Sequence, residues 1–101
     1  DQVLKEFAGV IASQVRSSDI AARYGGDEFV VLLPQGGSRG AASLASRIIE
    51  ATRRHPFSCG RVSVSIGIAA ANESATWESV LKNADQAMYR AKQAGRDRAE
   101  R

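Results

Sequence analysis

The stretch Ile20-Ala21-Ala22-Arg23-Tyr24-Gly25-Gly26-Asp27-Glu28-Phe29-Val30-Val31-Leu32-Leu33 sets two short apolar runs on either side of a glycine pair. Glycine has no Cβ and enters the positive-φ conformations of tight turns at little cost, so the two runs are predicted to be antiparallel strands joined at Gly25-Gly26. Phe29 to Leu33 does not alternate apolar with polar residues, which predicts a central strand covered on both faces and ended by Pro34. Asp27 and Glu28 then form an acidic pair at the tip of the hairpin, where bare glycines let a ligand approach the backbone.

On the upstream side, Val3, Leu4, Phe7, Val10, Ile11 and Val15 recur at steps of three and four, the pattern of an amphipathic helix ending near Arg16. Downstream, Gln35-Gly36-Gly37-Ser38 is predicted to be a loop. Ser38 caps a helix whose inner face is Ala41, Leu44, Ala45, Ile48 and Ile49 and which stops before Pro56. Val62, Val64, Ile66 and Ile68 alternate with small residues, predicting a strand from Val62 to Ala69 whose small face suits close packing or ligand approach. A last helix, carrying Trp77, Val80, Leu81, Ala84, Ala87, Met88 and Ala91 inward, opens at Thr76 and closes at Gly95. Tyr24 and Tyr89 are expected to pack. The order is α+β, strands layered against helices.

A chain of 101 residues, 44% hydrophobic and 25% charged, suits one domain with one core. It has no apolar run near the ~20 residues that cross a bilayer and no signal-peptide pattern at its start, so a soluble, cytoplasmic chain is expected. Cys59 is the single cysteine, which excludes an internal disulfide and is expected to serve packing. His55, just before Pro56, is expected at a surface turn. The net charge of +3 is too small for a nucleic-acid polymer as partner. The basic residues after Arg90 read as a solvated tail at Arg98 and Arg101.

An acidic pair at a bare turn suits a hard cation. Mg²⁺ takes one or two carboxylates together with phosphate oxygens, so a metal-bound nucleoside triphosphate is the matching ligand class. Taken alone, the same residues also describe an ordinary hairpin with a polar tip. The whole string Arg23 to Phe29, however, resembles the defining motif of the GGDEF family of diguanylate cyclases. Arg16-Ser17-Ser18-Asp19 is similar to that family's Arg-x-x-Asp site, and Ser65-Ile66-Gly67-Ile68-Ala69 to its strand motif. Asn83-Ala84-Asp85 through Tyr89-Arg90-Ala91-Lys92-Gln93-Ala94-Gly95-Arg96 resembles its last-helix motif, with Asp97 where Asn is usual. These separated motifs stand in the family's order, and the resemblance extends over essentially all of residues 1–101.

The resemblance implies a nucleotide-cyclase, ferredoxin-like (palm-like) fold, an antiparallel sheet flanked by helices. It implies condensation of two GTP into cyclic di-GMP and two pyrophosphates by a homodimer with Mg²⁺ or Mn²⁺. Asp27 and Glu28 are then the metal-binding and catalytic acids, and Asp1, Gly25, Gly26, Lys92 and Arg96 contact substrate. Lys92 and Arg96, four apart, would share a helical face toward the β- and γ-phosphates. Arg16, Asp19 and Arg47 would bind cyclic di-GMP as feedback inhibitor. Asp85, set among the apolar residues of the last helix, is read as making a structural hydrogen bond, the alternative being that it orients the basic groups. The family also implies a sensory or receiver domain upstream, through which the parent can be anchored in the inner membrane. Family members begin with a central strand bearing a metal-binding aspartate, and this chain starts after it, so a partial domain, inactive alone, is expected. The alternative is a catalytically silent module that binds cyclic di-GMP or GTP.

Overall fold

The apolar spacing at the start of the chain folds into α1 (Gln2–Gln14), and the glycine-centred stretch into β1 (Ile20–Gly25) and β2 (Glu28–Leu32). In the computed structural model, which describes residues 2–25, 28–33, 37–71 and 75–100, there follow α2 (Gly37–Arg54), β3 (Ser65–Gly67), α3 (Trp77–Gln93) and β4 (Arg98–Glu100). No described helix is long and apolar enough to cross a membrane.

The core lies where α1 and α2 meet the strands. Ile11, Leu44 and Ile48 are buried at its centre, ringed by Phe7, Val15, Phe29, Val31, Leu33 and Ile66. Phe29, Val31 and Leu33 are two apart, so β2 turns all three to the helices. Phe7 meets Phe29 edge to face, with centroids 5.4 Å apart at 66°, the arrangement the ring quadrupoles favour. Thr52, in the last turns of α2, is 1% exposed, and its hydroxyl donates to the Ile48 carbonyl oxygen at 2.7 Å.

α3 begins at a capping box. The Thr76 hydroxyl accepts from the Ser79 amide and the Ser79 hydroxyl from the Thr76 amide, each at 3.0 Å, which satisfies two amides that a helix start leaves free. Its inner face is made of small residues, Ala87 and Ala91 being fully buried. The helix can therefore lie directly on β3. A Cβ built at Gly67 would overlap the Ala84 carbonyl oxygen and the Met88 amide nitrogen and stand 2.9 Å from the Met88 Cα. The small face of the strand motif thus serves close packing.

Several expectations are corrected. β2 is not a central strand among the described residues: it pairs with β1 alone, and Leu32 is 42% exposed. The long strand expected from Val62 shortens to Ser65–Gly67, because its partner is equally short. That partner is β4, in parallel register with Ser65 opposite Arg98, so residues read as a solvated tail form a strand. The Ile68 amide donates to the Glu100 carbonyl at 2.8 Å and the Arg98 amide to the Val64 carbonyl at 3.2 Å, continuing the ladder. The strands thus make two separate pairs, β1-β2 antiparallel and β3-β4 parallel. Cys59, Trp77 and Tyr89 are exposed rather than packed inside, and Asp85 is exposed with no structural hydrogen bond among the described residues. Ser38 lies within α2 and not at its cap. The side chain of Tyr24 lies outside the described residues. His55 stands at the end of α2, edge to face with Phe57 at 4.5 Å.

Candidate functional site

Gly25 pairs with Glu28 at the end of the β1-β2 ladder, and the register skips one residue between Arg23 and Gly25. Such a shift, as at a β-bulge, breaks the even ladder just before the turn. Glu28 is exposed at this end; Asp1, Gly26 and Asp27 lie outside the described residues. A groove of about 580 Å³ separates β2 from β3, floored by Ile11, Leu44 and Ile48 and walled by Phe29, Val31, Ile66, Leu81 and Met88. Glu28 is the one charged side chain among the described residues that line it. An anionic group thus stands against an apolar trough at the motif's end of the hairpin. Among the described residues, no three His, Cys, Asp or Glu side chains gather into a ready-made metal site.

The end of α3 places the two expected phosphate-binding cations differently from their spacing. The helix stops at Gln93, the Gly95 amide donates to the Lys92 carbonyl at 3.4 Å, and the Arg96 amide to the Ala91 carbonyl at 2.9 Å. This pair of bonds is a Schellman motif, with Gly95 at φ 117° supplying the left-handed residue. Arg96 therefore sits past the helix, and Lys92 and Arg96 do not share a helical face; both are exposed. Arg96 and Asp97 also have positive φ, 63° and 50°. Each such residue costs about 1 kcal/mol or more unless its surroundings hold it.

What holds Asp97 is Arg53, from the last turn of α2. Its Nε donates to the Asp97 Oδ2 at 3.1 Å, and its Nη2 forms an ion pair with the same oxygen at 3.0 Å. The hydrogen bond to Asp97 and that carboxylate's charge push the Arg53 guanidinium above its ordinary value. The sequence reading missed this pair. Neither helical nor strand periodicity links positions 44 apart; the signals present were a basic residue ending a helix and an acid just after a glycine cap.

A second cluster forms where α1 ends. The Asp19 carboxylate accepts from the Arg16 amide at 2.9 Å, and the Asp19 amide donates to the Arg16 carbonyl at 3.0 Å. This closes a turn and leaves the Arg16 guanidinium without a partner among the described residues. Arg47 of α2 donates to the Ser43 hydroxyl at 3.0 Å and to the Gln14 carbonyl at 3.4 Å. The fold thus brings Arg47 to the end of α1, at Gln14, two positions in sequence before Arg16.

The family described as "Diguanylate cyclase, GGDEF domain" matches residues 1–98. The chain is 45% identical over 98 residues to the diguanylate cyclase DgcS of Shewanella oneidensis, covering 96% of the chain and 33% of that protein. It is 44% identical over 104 residues to the response regulator PleD of Caulobacter vibrioides, covering 96% and 23%. The crystal structure of the GGDEF domain of YfiN (TpbB) from Pseudomonas aeruginosa superposes with a TM-score of 0.87 at 39% identity, over 99% of this chain and 66% of that one. The chain spans a third or less of the length of these two curated relatives.

Proposed function

The chain belongs to the GGDEF family of diguanylate cyclase domains, and on that premise we propose that within its full-length protein it condenses two GTP into cyclic di-GMP and two pyrophosphates. The observation that carries the reading is Glu28 at the head of the groove, at the end of a hairpin bearing the Gly25-Gly26-Asp27-Glu28 motif. In each half-reaction the 3′-hydroxyl of one GTP attacks the α-phosphate of the other and pyrophosphate leaves, a transfer governed by positioning and charge. Two copies of the domain, each presenting one GTP, satisfy that symmetry.

The donors at the hairpin are hard carboxylate oxygens, the set that Mg²⁺ or Mn²⁺ accepts alongside phosphate, so Asp27 and Glu28 would hold the ion. Such an ion, when bound, offsets phosphate charge and acidifies the attacking hydroxyl. Glu28 also takes that hydroxyl's proton. Gly25 and Gly26 leave room for the nucleotide over the turn, Lys92 and Arg96 meet the β- and γ-phosphates, and Asp1 bonds guanine. Arg16, Asp19 and Arg47 form the site for product. The reading's support there is that Arg47 reaches the end of α1 and the Arg16 guanidinium has no partner among the described residues. The same cluster supports the second reading, a module that binds cyclic di-GMP without making it.

An upstream receiver or sensory domain is the natural source of control, since one relative is named a response regulator. We place the domain in the cytoplasm, where GTP is found. The 101 residues alone should not turn over GTP, because the groove beside Glu28 keeps the two strand pairs apart. The test is GTP turnover by the full-length protein. Glu28→Ala should lower it by roughly a hundredfold or more, and Arg16→Ala should relieve inhibition by cyclic di-GMP. Cyclic di-GMP binding without turnover would select the second reading.

A further inference from the structure

The turn after α3 is held from three sides. Its Schellman bonds tie it to α3, and the Arg98 amide ties its far end to β3 through the Val64 carbonyl. The third tie, Arg53 to Asp97, is a side-chain bond and acts on the two residues whose backbone is least at ease, Arg96 and Asp97 at φ 63° and 50°. A non-glycine residue left to itself returns from that region to negative φ. Rotation there swings the Arg96 side chain, because it leaves the chain between the Schellman bonds and the Asp97 peptide.

Arg53 is itself pre-set for this reach. Glu50, one turn earlier on α2, pairs with its Nη1 at 3.5 Å, while the Nε and Nη2 point across to Asp97. The other Asp97 oxygen, Oδ1, is buried without a hydrogen-bond partner. Arg53 is therefore the cation that partners this carboxylate among the described residues, and removing it leaves Asp97, with Oδ1 already unpartnered, to the solvent that reaches its other oxygen.

We propose that Arg53 and Asp97 are positioning residues: their ion pair clamps the turn after α3 to the end of α2 and so holds Arg96 where it meets the triphosphate. The inference rests on Arg96 being the phosphate-binding cation of the function proposed above. It assigns the pair to substrate capture and not to the chemical step, since neither side chain reaches the hairpin acids through any described contact.

The experiment measures KM and kcat for GTP in the full-length protein carrying Asp97→Ala, Asp97→Asn, Arg53→Ala or the double alanine change. A carboxylate–guanidinium tie lost from a substrate-positioning turn should raise KM about tenfold while kcat stays within about twofold. Asp97→Asn keeps the acceptor toward Arg53 and the side-chain size, so its KM should remain within about threefold of the parent. The double change should be no worse than Arg53→Ala, because the two residues act as one unit. Unchanged KM in both single alanine variants, or a fall in kcat at constant KM, overturns the proposal. Hydrogen exchange at the Arg96 and Arg98 amides supplies a readout without turnover: Asp97→Ala and Arg53→Ala should lose protection there, and Asp97→Asn should keep it. If the unmodified protein makes no product, the function proposed above fails instead, and unchanged exchange in the alanine variants then overturns the clamp independently.

Discussion

A methyl group added at Gly67 would collide with backbone atoms of Ala84 and Met88, which no side-chain rotation can move away. Gly67→Ala should therefore push α3 off β3 and cost about 3 kcal/mol, at the upper end of overpacking penalties. Urea unfolding would show this as a lower midpoint at unchanged slope; a loss under about 1 kcal/mol would mean that α3 can shift freely. At the same scale, the sequence pointed to Ser65-Ile66-Gly67 as a small-faced strand but left open whether the space served a helix or a ligand. The alternation could reveal the missing side chain and not what fills the room.

The elements depend on local devices of differing strength. α3 is set by its capping box, whose two reciprocal bonds involve side chains three residues apart. Thr76→Ala removes one acceptor and should cost about 1 kcal/mol. Thr76→Ser should cost less than half of that, measured by the same unfolding experiment. The start and end of this helix were both legible at Thr76 and Gly95, since caps are read from residues within one turn. What spacing could not supply was the consequence for Arg96. A count of four from Lys92 implies a shared face only while the helix continues, and the Schellman turn ends it between the two. β4 escaped notice because Arg98-Ala99-Glu100 has no pattern of its own and becomes a strand by pairing with Ser65–Gly67.

For the molecule as a whole, the decisive feature is that the strands form two pairs and not one sheet. The facing edges of β2 and β3 carry backbone donors and acceptors without strand partners among the described residues, and the groove between them is lined mainly by apolar side chains, with Glu28 the one charged group among the described residues. Such edges and troughs drive association in water. The 101-residue chain should therefore sediment above its monomer mass at concentrations of about 100 μM and bind the dye ANS strongly, the behaviour of exposed apolar surface. A monomer that excludes the dye would show that the groove closes in solution. The non-alternating run Phe29 to Leu33 had already announced a strand meant to be covered on both sides. In the structure, Phe29, Val31 and Leu33 meet α1 and α2, and the same residues line the groove that separates β2 from β3.

The family, the hairpin, the three helices and the two ends of α3 could be read from residue order. Each of these rests on neighbours within a turn or two or on a contiguous motif, where backbone geometry alone relates one residue to the next. The split into two strand pairs, the existence of β4 and the seat of Gly67 against α3 could not. Nor could the tie between Arg53 and Asp97, positions 44 apart. These are set by which surfaces meet when helices and strands pack, and burial and hydrogen bonding choose such partners only once the chain has brought them together.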